Sequence, residues 1–300
     1  MHRTNLAVAA HPASWIGLGL EVGPGTGPGL RPEMAGGNRM ALWQGPDAVF
    51  RATVDEDRGG VAYSRTEAYR SPVAPLRAAE ARAVEGVGRP SWYARWAHRF
   101  ADALEASSVG PLHEGRWMLT PRLDHRLGRG REETTRNGDG PTPGRWCSPL
   151  LDAHPDGYVD WFAGGFGVVP LRRMPAPGDG RVKSYRRQVR DGVLPPVLLW
   201  WFSGLDRYVV LDGHARLAAA LAEDREPAAL ALSRAPSEER AVAGTDRALS
   251  AYRLTLSVLD GPHPVADREH VVRAAGRLLT DRLSDVATDR APTRAWPMRT

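Results

Sequence analysis

The stretch YVVLDGHARLAAALAE, residues 208–223, contains the change of pattern that decides the fold. Residues 207–211 end in a short apolar run, which is typical of a buried strand. Residues 213–223 are rich in alanine, with Leu217 and Leu221 one turn apart, and this predicts a helix. Asp212 and Gly213 stand between the two patterns. The sequence therefore predicts a strand that passes directly into a helix through a tight corner at 212–216.

The corner carries residue types that suit an anionic ligand. Gly213 allows the backbone to turn tightly and to approach a bound group. The first amides of a helix have no partner within it, and the helix dipole adds positive potential, so a phosphate binds well there. His214 can donate a hydrogen bond or move a proton, and Arg216 offers planar donors that match phosphate. Asp212 can act as a base, bind a metal or simply cap the helix, as in an ordinary turn.

The composition indicates a globular chain. The 300 residues are 42% hydrophobic and 25% charged, which is enough to bury a core. No apolar run is long enough to cross a membrane, and the first residues lack the apolar core of a signal peptide. A single cysteine, Cys147, excludes an internal disulfide. We therefore expect a cytoplasmic protein without a membrane segment.

The net charge of +5 raises the question of a nucleic-acid partner. Lys183 is the only lysine, and the arginines are scattered among acidic residues rather than gathered in one stripe. This pattern does not favour binding by charge alone. DNA is a possible partner but not the favoured one.

Six predicted elements between residues 146 and 235 follow the order β-α-β-β-α-β. The second strand is apolar throughout and opened by prolines, which is typical of a strand buried on both faces. The predicted strands are 166–174, 195–202, 207–211 and 226–233, and the predicted helices are 179–192 and 213–223.

The rest of the chain divides by its composition, and the predicted fold class is α+β. Glycine and proline are dense at the start, and a periodic apolar face at 91–108 predicts a helix. The predicted regions are a disordered leader at 1–39, an N-terminal α+β region at 40–127, a linker at 128–145, the β-α-β-β-α-β module at 146–235, C-terminal packing helices at 236–285 and a flexible tail at 286–300.

The segment LPPVLLWWFSGLDRYVVLDGHARLAAALAEDREPAALAL, residues 194–232, resembles the ParB/sulfiredoxin-like superfamily. The resemblance covers about 166–233 and rests on Pro195-Pro196-Val197 at a strand start and on the box Asp212-Gly213-His214-Ala215-Arg216. Members include chromosome-partition proteins that bind and hydrolyse CTP, sulfiredoxins that use ATP and free-serine kinases that use ADP. The resemblance implies a small α+β module in which Gly213, His214 and Arg216 contact nucleotide phosphates.

These observations leave two classes of function open. The first is binding of a nucleotide (ATP, ADP or CTP with Mg²⁺) or of another small phosphorylated ligand, with phosphoryl transfer or hydrolysis in which Asp212 or His214 handles a proton or metal. Lys183 and Arg187, on the preceding helix, are further candidate phosphate contacts, and Asp179 is a candidate for holding Mg²⁺. The alternative is a non-catalytic regulatory or interaction module, including a DNA-associated regulator, that has kept the fold. The box has no cysteine, which argues against sulfinic-acid repair.

Overall fold

The computed structural model describes residues 1–8, 11–121, 146, 149–162, 167–259 and 268–298. Helices and two mixed β-sheets occur throughout these residues, so the α+β fold class is confirmed. The strands are β1 (His2–Val8), β2 (His11–Val22), β3 (Leu30–Ala35), β4 (Arg39–Gln44), β5 (Asp47–Asp55), β6 (Gly60–Arg65), β7 (Gly115–Pro121), β8 (Asp156–Asp160), β9 (Val168–Pro170), β10 (Val197–Phe202), β11 (Arg207–Asp212), β12 (Ala229–Arg234) and β13 (Trp296–Pro297). The helices are α1 (Ala78–Arg82), α2 (Pro90–Ala106), α3 (Pro149–Asp152), α4 (Gly180–Arg190), α5 (His214–Ala222), α6 (Glu238–Leu259) and α7 (Arg268–Thr288).

The first sheet has the strand order β1-β2-β7-β12-β10-β11-β9. Strand β10 is parallel to β12, and β11 is parallel to β9, whereas β10 and β11 form an antiparallel pair. Strand β7 is antiparallel to both β2 and β12, with Leu119 opposite Leu18 on one side and Leu232 on the other. Residues from the N-terminal and central parts of the chain therefore share one sheet.

The second sheet has the strand order β13-β3-β4-β5-β6-β8. Neighbouring strands of this sheet pair in an antiparallel manner from β3 through β4, β5 and β6 to β8. The short β13 pairs with β3 in parallel. Strands β5 and β6 form an antiparallel hairpin on either side of the acidic turn at 55–59. Residues 156–160, where the sequence pattern gave no strand, form β8 at the edge of this sheet.

The predicted element order β-α-β-β-α-β is observed as β9-α4-β10-β11-α5-β12. Strand β10 is apolar throughout because both of its faces are covered. Leu198, Trp200 and Phe202 face one core, while Val197 and Leu199 face a second core that also contains Leu217 of α5.

The larger core joins the two sheets and helix α2. Helix α2 contributes one face whose apolar residues recur every four positions, as its sequence predicts. Facing apolar residues of both sheets complete this core, among them Leu18 and Leu119 of the first sheet and Phe50 and Val61 of the second. The buried side chains of the α2 face are Trp92, Trp96, Phe100 and Leu104.

The prediction of a disordered leader at 1–39 is wrong. Strands β1, β2 and β3 occupy most of it, and Leu18, Leu20 and Leu30 are fully or almost fully buried. The glycines and prolines that suggested disorder are concentrated at 23–29, which connects β2 to β3. They mark a turn between two strands rather than an unfolded segment.

The prediction of a flexible tail at 286–300 is also wrong for the described residues. Helix α7 extends to Thr288, Ala291 pairs with Arg234, and β13 adds to the second sheet. Thr293 donates its backbone N–H to Ser203 Oγ at 2.9 Å. Polar backbone contacts, which composition does not reveal, anchor this segment. The predicted linker at 128–145 lies outside the described residues.

Helices α6 and α7 confirm the helical prediction for 236–285. They pack mainly against each other, and α7 also contacts β1. Leu254 of α6 and Leu278 of α7 are exposed on the outside of this pair. Among the residues described, no helix is long and apolar enough to span a bilayer.

Because β7 ties the N-terminal strands to β12, we expect one cooperative unfolding transition. Leu119→Ala removes a fully buried side chain from this junction. It should lower the free energy of unfolding by about 2–5 kcal/mol, measured by urea denaturation. Leu254→Ala, at an exposed position, should change it by less than about 0.5 kcal/mol. Two separate transitions, with only one of them shifted by Leu119→Ala, would contradict a shared core.

Candidate functional site

The corner between β11 and α5 has the predicted form. Gly213 adopts φ 97°, in the left-handed region that glycine tolerates best, and His214 is the first residue of α5. As N-cap, Gly213 gives the first amides of α5 no side-chain acceptor. The corner lies inside the molecule, since His214 is fully buried and Arg216 is 2% exposed.

Asp212 and Arg216 form a buried ion pair across this corner. Arg216 Nη2 lies 2.8 Å from Asp212 Oδ2 and also donates to the carbonyl oxygen of Pro196 at 3.0 Å. A Cβ at Gly213 would come within 2.8 Å of Arg216 Nη2, so the guanidinium lies directly over the glycine. Arg216, predicted to contact phosphate, is therefore partly engaged by the protein itself.

The segment 66–77, which follows β6, covers the corner. Tyr69 Oη donates to the carbonyl oxygen of Leu211 at 2.7 Å, and Ser71 Oγ donates to Asp212 Oδ1 at 2.7 Å. Asp212 thus accepts hydrogen bonds with both carboxylate oxygens, from Ser71 and Arg216, rather than from the start of α5. The carboxylate of Asp212, which was predicted to handle a proton or a metal, is therefore already engaged by other protein groups.

Two arginines that sequence reasoning missed also lie near His214. Arg65, at the end of β6, is 3% exposed and donates through Nη1 to the carbonyl oxygen of Pro170 at 3.0 Å. Arg172 lies just after β9, and its charge acts on both His214 and Tyr69. Strands β6 and β9 are distant in sequence from α5, so spacing along the chain gave no signal for this cluster.

Several buried nitrogens of this cluster have no hydrogen-bond partner among the residues described. They are buried nitrogens of two cationic side chains and one imidazole, namely Nε and Nη2 of Arg65, Nδ1 and Nε2 of His214, and Nε of Arg216. A buried polar atom without a partner costs about 1–3 kcal/mol, so such atoms are rare and call for a bound water or ion. We call Arg65, Arg172, His214 and Arg216 the corner cluster.

The electrostatics of the corner cluster keep His214 neutral. Burial lowers the pKa of His214 well below its usual range, and the charges of Arg172, Arg65 and Arg216 lower the same pKa further. Burial also lowers the pKa of Arg65. Burial raises the pKa of Tyr69 well above its usual range, and the charge of Asp212 adds to this rise. The lowered pKa of Arg65 reflects the desolvation penalty on its positive charge, whereas His214 is held without charge.

The residues present fit an anion better than a metal ion. The donors of the corner cluster are N–H groups, which bind oxyanions. Mg²⁺ requires oxygen ligands, and Asp212 is engaged by Ser71 and Arg216. Asp179, a predicted candidate for Mg²⁺, caps α4 by accepting from the amide of Arg181 at 2.8 Å. Within the described ranges, no three His, Cys, Asp or Glu residues form a metal-binding group.

Lys183 and Arg187 lie on α4, and their side chains are exposed. The neighbouring Arg186 and Arg190 donate to Glu223 at 2.6 and 2.7 Å, which joins α4 to the end of α5. No hydrogen bond or ion pair links Lys183 or Arg187 to residues 212–216 in the part of the chain that is described. Their assignment as phosphate contacts stays a prediction.

Comparison with known proteins gives no relative: no family model, curated protein or solved structure significantly matches this chain. The resemblance to the ParB/sulfiredoxin-like superfamily therefore stays a prediction. It rests on the box at 212–216 and on the element order around it.

The neutral state of His214 predicts a pH dependence of stability. The folded protein holds His214 unprotonated, whereas the unfolded chain protonates it below about pH 6.5. Stability contributed by His214 is therefore present above about pH 6.5 and falls as the pH drops below it, by up to about 1.4 kcal/mol per pH unit. His214→Leu should remove this part of the pH dependence, measured by urea denaturation between pH 7.5 and 5. Parallel pH profiles of the two proteins would contradict a neutral His214.

The buried Asp212–Arg216 pair predicts a large loss of stability when one partner is removed. Arg216→Met should lower the free energy of unfolding by about 3–5 kcal/mol, because Asp212 stays buried without its cation. The double variant Arg216→Met/Asp212→Asn should lose less free energy of unfolding than the sum of the losses in the two single variants. A double-mutant cycle by urea denaturation measures this difference.

The matched control is Arg273→Met, which breaks an Arg–carboxylate pair of the same i, i+4 spacing on the exposed face of α7. We expect a change below about 1 kcal/mol there. Equal effects of Arg216→Met and Arg273→Met would show that the corner pair does not support the fold.

Proposed function

We propose that the protein binds a phosphate-bearing ligand, either a nucleotide or a smaller phosphorylated compound, at the start of α5. The observation that carries this proposal is the set of buried, unpartnered nitrogens of Arg65, His214 and Arg216. A water molecule can accept from such donors, but it brings no charge. An oxyanion accepts from several of them and also offsets the positive charge.

The charge balance of the corner cluster supports an anion. Arg65, Arg172 and Arg216 are cationic, and Asp212 pairs with Arg216. Glu67 also acts on Arg65, but its side chain is mostly exposed and contacts His154. Positive charge thus remains inside a site of low polarity, where an oxyanion interacts more strongly than in water. The helix start adds unpaired amides and a favourable dipole.

The proposal requires movement of the segment 66–77. Tyr69 and Ser71 hold this segment over the corner, where His214 has no contact with solvent. A ligand larger than a free phosphate group reaches the corner cluster when this segment moves away from α5. Ligand binding then orders a segment over the bound phosphate, as covering loops do in many ligand sites.

A second candidate function is supported by the contacts of Asp212. Both of its oxygens accept hydrogen bonds inside the protein, which leaves the carboxylate poorly placed to take a proton from a nucleophile. This favours the alternative of a non-catalytic regulatory module, in which phosphate binding changes the position of 66–77 without chemistry. Hydrolysis or phosphoryl transfer would instead require Asp212 to exchange its partners.

Thermal unfolding in the presence of ATP, ADP, CTP and inorganic phosphate tests the proposal. A ligand at 100 times its dissociation constant should stabilise the folded state by about 2.7 kcal/mol, with a rise in melting temperature. Arg172→Gln should weaken binding about tenfold or more in calorimetry, because it removes a charged donor without breaking the Asp212–Arg216 pair. Chromatography of the nucleotide after incubation separates pure binding from turnover.

Two control variants sharpen this test. Arg181→Gln changes an exposed arginine of α4 and should leave the affinity unchanged. The pair Lys183→Gln with Arg187→Gln tests the predicted contribution of α4 in the same assay. The proposal fails if none of the phosphates changes the melting temperature, or if Arg172→Gln binds as tightly as the parent protein.

A further inference from the structure

Three basic side chains meet where the C-terminal segment joins the two sheets. His113 precedes β7, Arg234 is the last residue of β12, and Arg294 lies between α7 and β13. Arg234 pairs in register with Trp117 of β7, and the backbone N–H of Ala291 donates to the carbonyl oxygen of Arg234 at 2.9 Å. Pairing between distant parts of the chain therefore brings these residues together.

Two indole rings hold the imidazole of His113 in place. Its centroid lies 5.0 Å from that of Trp117 and 5.2 Å from that of Trp296, and both contacts are edge to face. The guanidinium of Arg294 lies over the same Trp296 ring, 5.0 Å from its centroid. His113 is only 3% exposed, so its ring has a fixed position beside this arginine.

Arg234 reaches the same place from the end of β12. A Cβ at Gly115, two residues after His113, would lie 3.3 Å from Arg234 Nη2, so the guanidinium lies against this glycine. Arg234 is half-buried, and its enclosed Nε has no hydrogen-bond partner among the described residues. Burial lowers the pKa of Arg234, and the charge of Arg294 lowers it further.

The guanidinium groups of Arg234 and Arg294 lack a counter-charge in the described part of the chain. Neither forms a hydrogen bond or an ion pair there. Two cations that repel each other beside enclosed rings are stabilised by an anion that contacts both. Arg31 also lies over Trp296, but its Nε lies 3.1 Å from Glu33 Oε1, and this ion pair stays outside the site.

His113 is oriented to act with the two arginines. Its Nδ1 lies 2.9 Å from the carbonyl oxygen of Glu114, which can only accept, so Nδ1 carries the proton of the neutral ring and Nε2 has a lone pair. Burial lowers the pKa of His113, and the charges of Arg234 and Arg294 lower it further, whereas the hydrogen bond to Glu114 and the Glu114 charge raise it. A bound anion offsets the charges of the arginines and favours a proton on Nε2.

We propose that His113, Arg234 and Arg294 form a second anion site, which takes a small oxyanion between the two guanidinium groups. The oxyanion supplies the acceptor that Arg234 Nε lacks. His113 takes up one proton as the oxyanion binds and donates it from Nε2. This assignment does not depend on phosphate binding at the corner, because the two sites share no residue.

The test uses the full-length protein and sulfate, which carries the same charge throughout the pH range in which histidine titrates. Binding is followed by the indole N–H signal of Trp296 in ¹H–¹⁵N spectra, identified as the one lost in Trp296→Phe. At equal ionic strength, sulfate should bind at least about tenfold more tightly than chloride. Its affinity should rise as the pH falls below about pH 6.5, by up to about tenfold per pH unit, because one proton is bound with each anion.

Variants locate the site. Arg234→Gln and Arg294→Gln should each weaken sulfate binding about fivefold or more, because each removes a charged donor. Arg277→Gln, at an exposed position of α7, should leave the affinity unchanged. His113→Phe keeps a ring against the two indoles and should remove the pH dependence of binding.

The corner is tested separately. Arg172→Gln should leave the sulfate titration of the Trp296 signal unchanged, so a failure of phosphate binding at the corner leaves this result intact. The assignment is overturned if sulfate does not shift the Trp296 signal, or if chloride shifts it equally. It is also overturned if Arg294→Gln, an exposed change that should not disturb folding, binds sulfate as tightly as the parent, or if His113→Phe retains the pH dependence.

Discussion

The antiparallel pairing of β7 with both β2 and β12 is the constraint on which the rest of the structure depends. It makes the N-terminal strands and the β9-α4-β10-β11-α5-β12 unit parts of one sheet and one core. As a result, residues that follow β6 reach the start of α5. The hydrogen bonds of Tyr69 to Leu211 and of Ser71 to Asp212 connect these two parts of the chain at the corner.

The corner cluster is held against its own electrostatics. Arg65, Arg172 and Arg216 all lower the pKa of His214, and burial penalises the charge of Arg65. Apolar side chains of the same volume at these positions would remove both the repulsion and the unmade hydrogen bonds. A chain that retains such groups gives up stability locally, which is typical of binding sites rather than of packing. The neighbouring Asp212–Arg216 pair, in contrast, has its donors and acceptors largely matched and supports the corner.

Local patterns in the sequence were sufficient for the elements around the corner. The predicted limits of β10, β11 and α5 agree with the structure to within two residues, because apolar runs and the Asp-Gly step mark them directly. The same reasoning failed for 1–39, where glycine and proline of one turn outweighed the apolar residues of β2 and β3. It also could not find Arg65, which reads as an ordinary strand residue in an arginine-rich chain. Its place beside His214 follows from pairing between distant strands, which periodicity does not encode.

One short segment connects the corner with the buried amide of Gln44. Tyr69 and Ser71 contact the corner, whereas the side chain of Arg70 between them is exposed. Gln44 binds both backbone groups of Arg70, so a single buried amide sets the position of all three residues. Movement of this segment away from α5 would therefore break the Gln44 contacts as well as the hydrogen bonds of Tyr69 and Ser71.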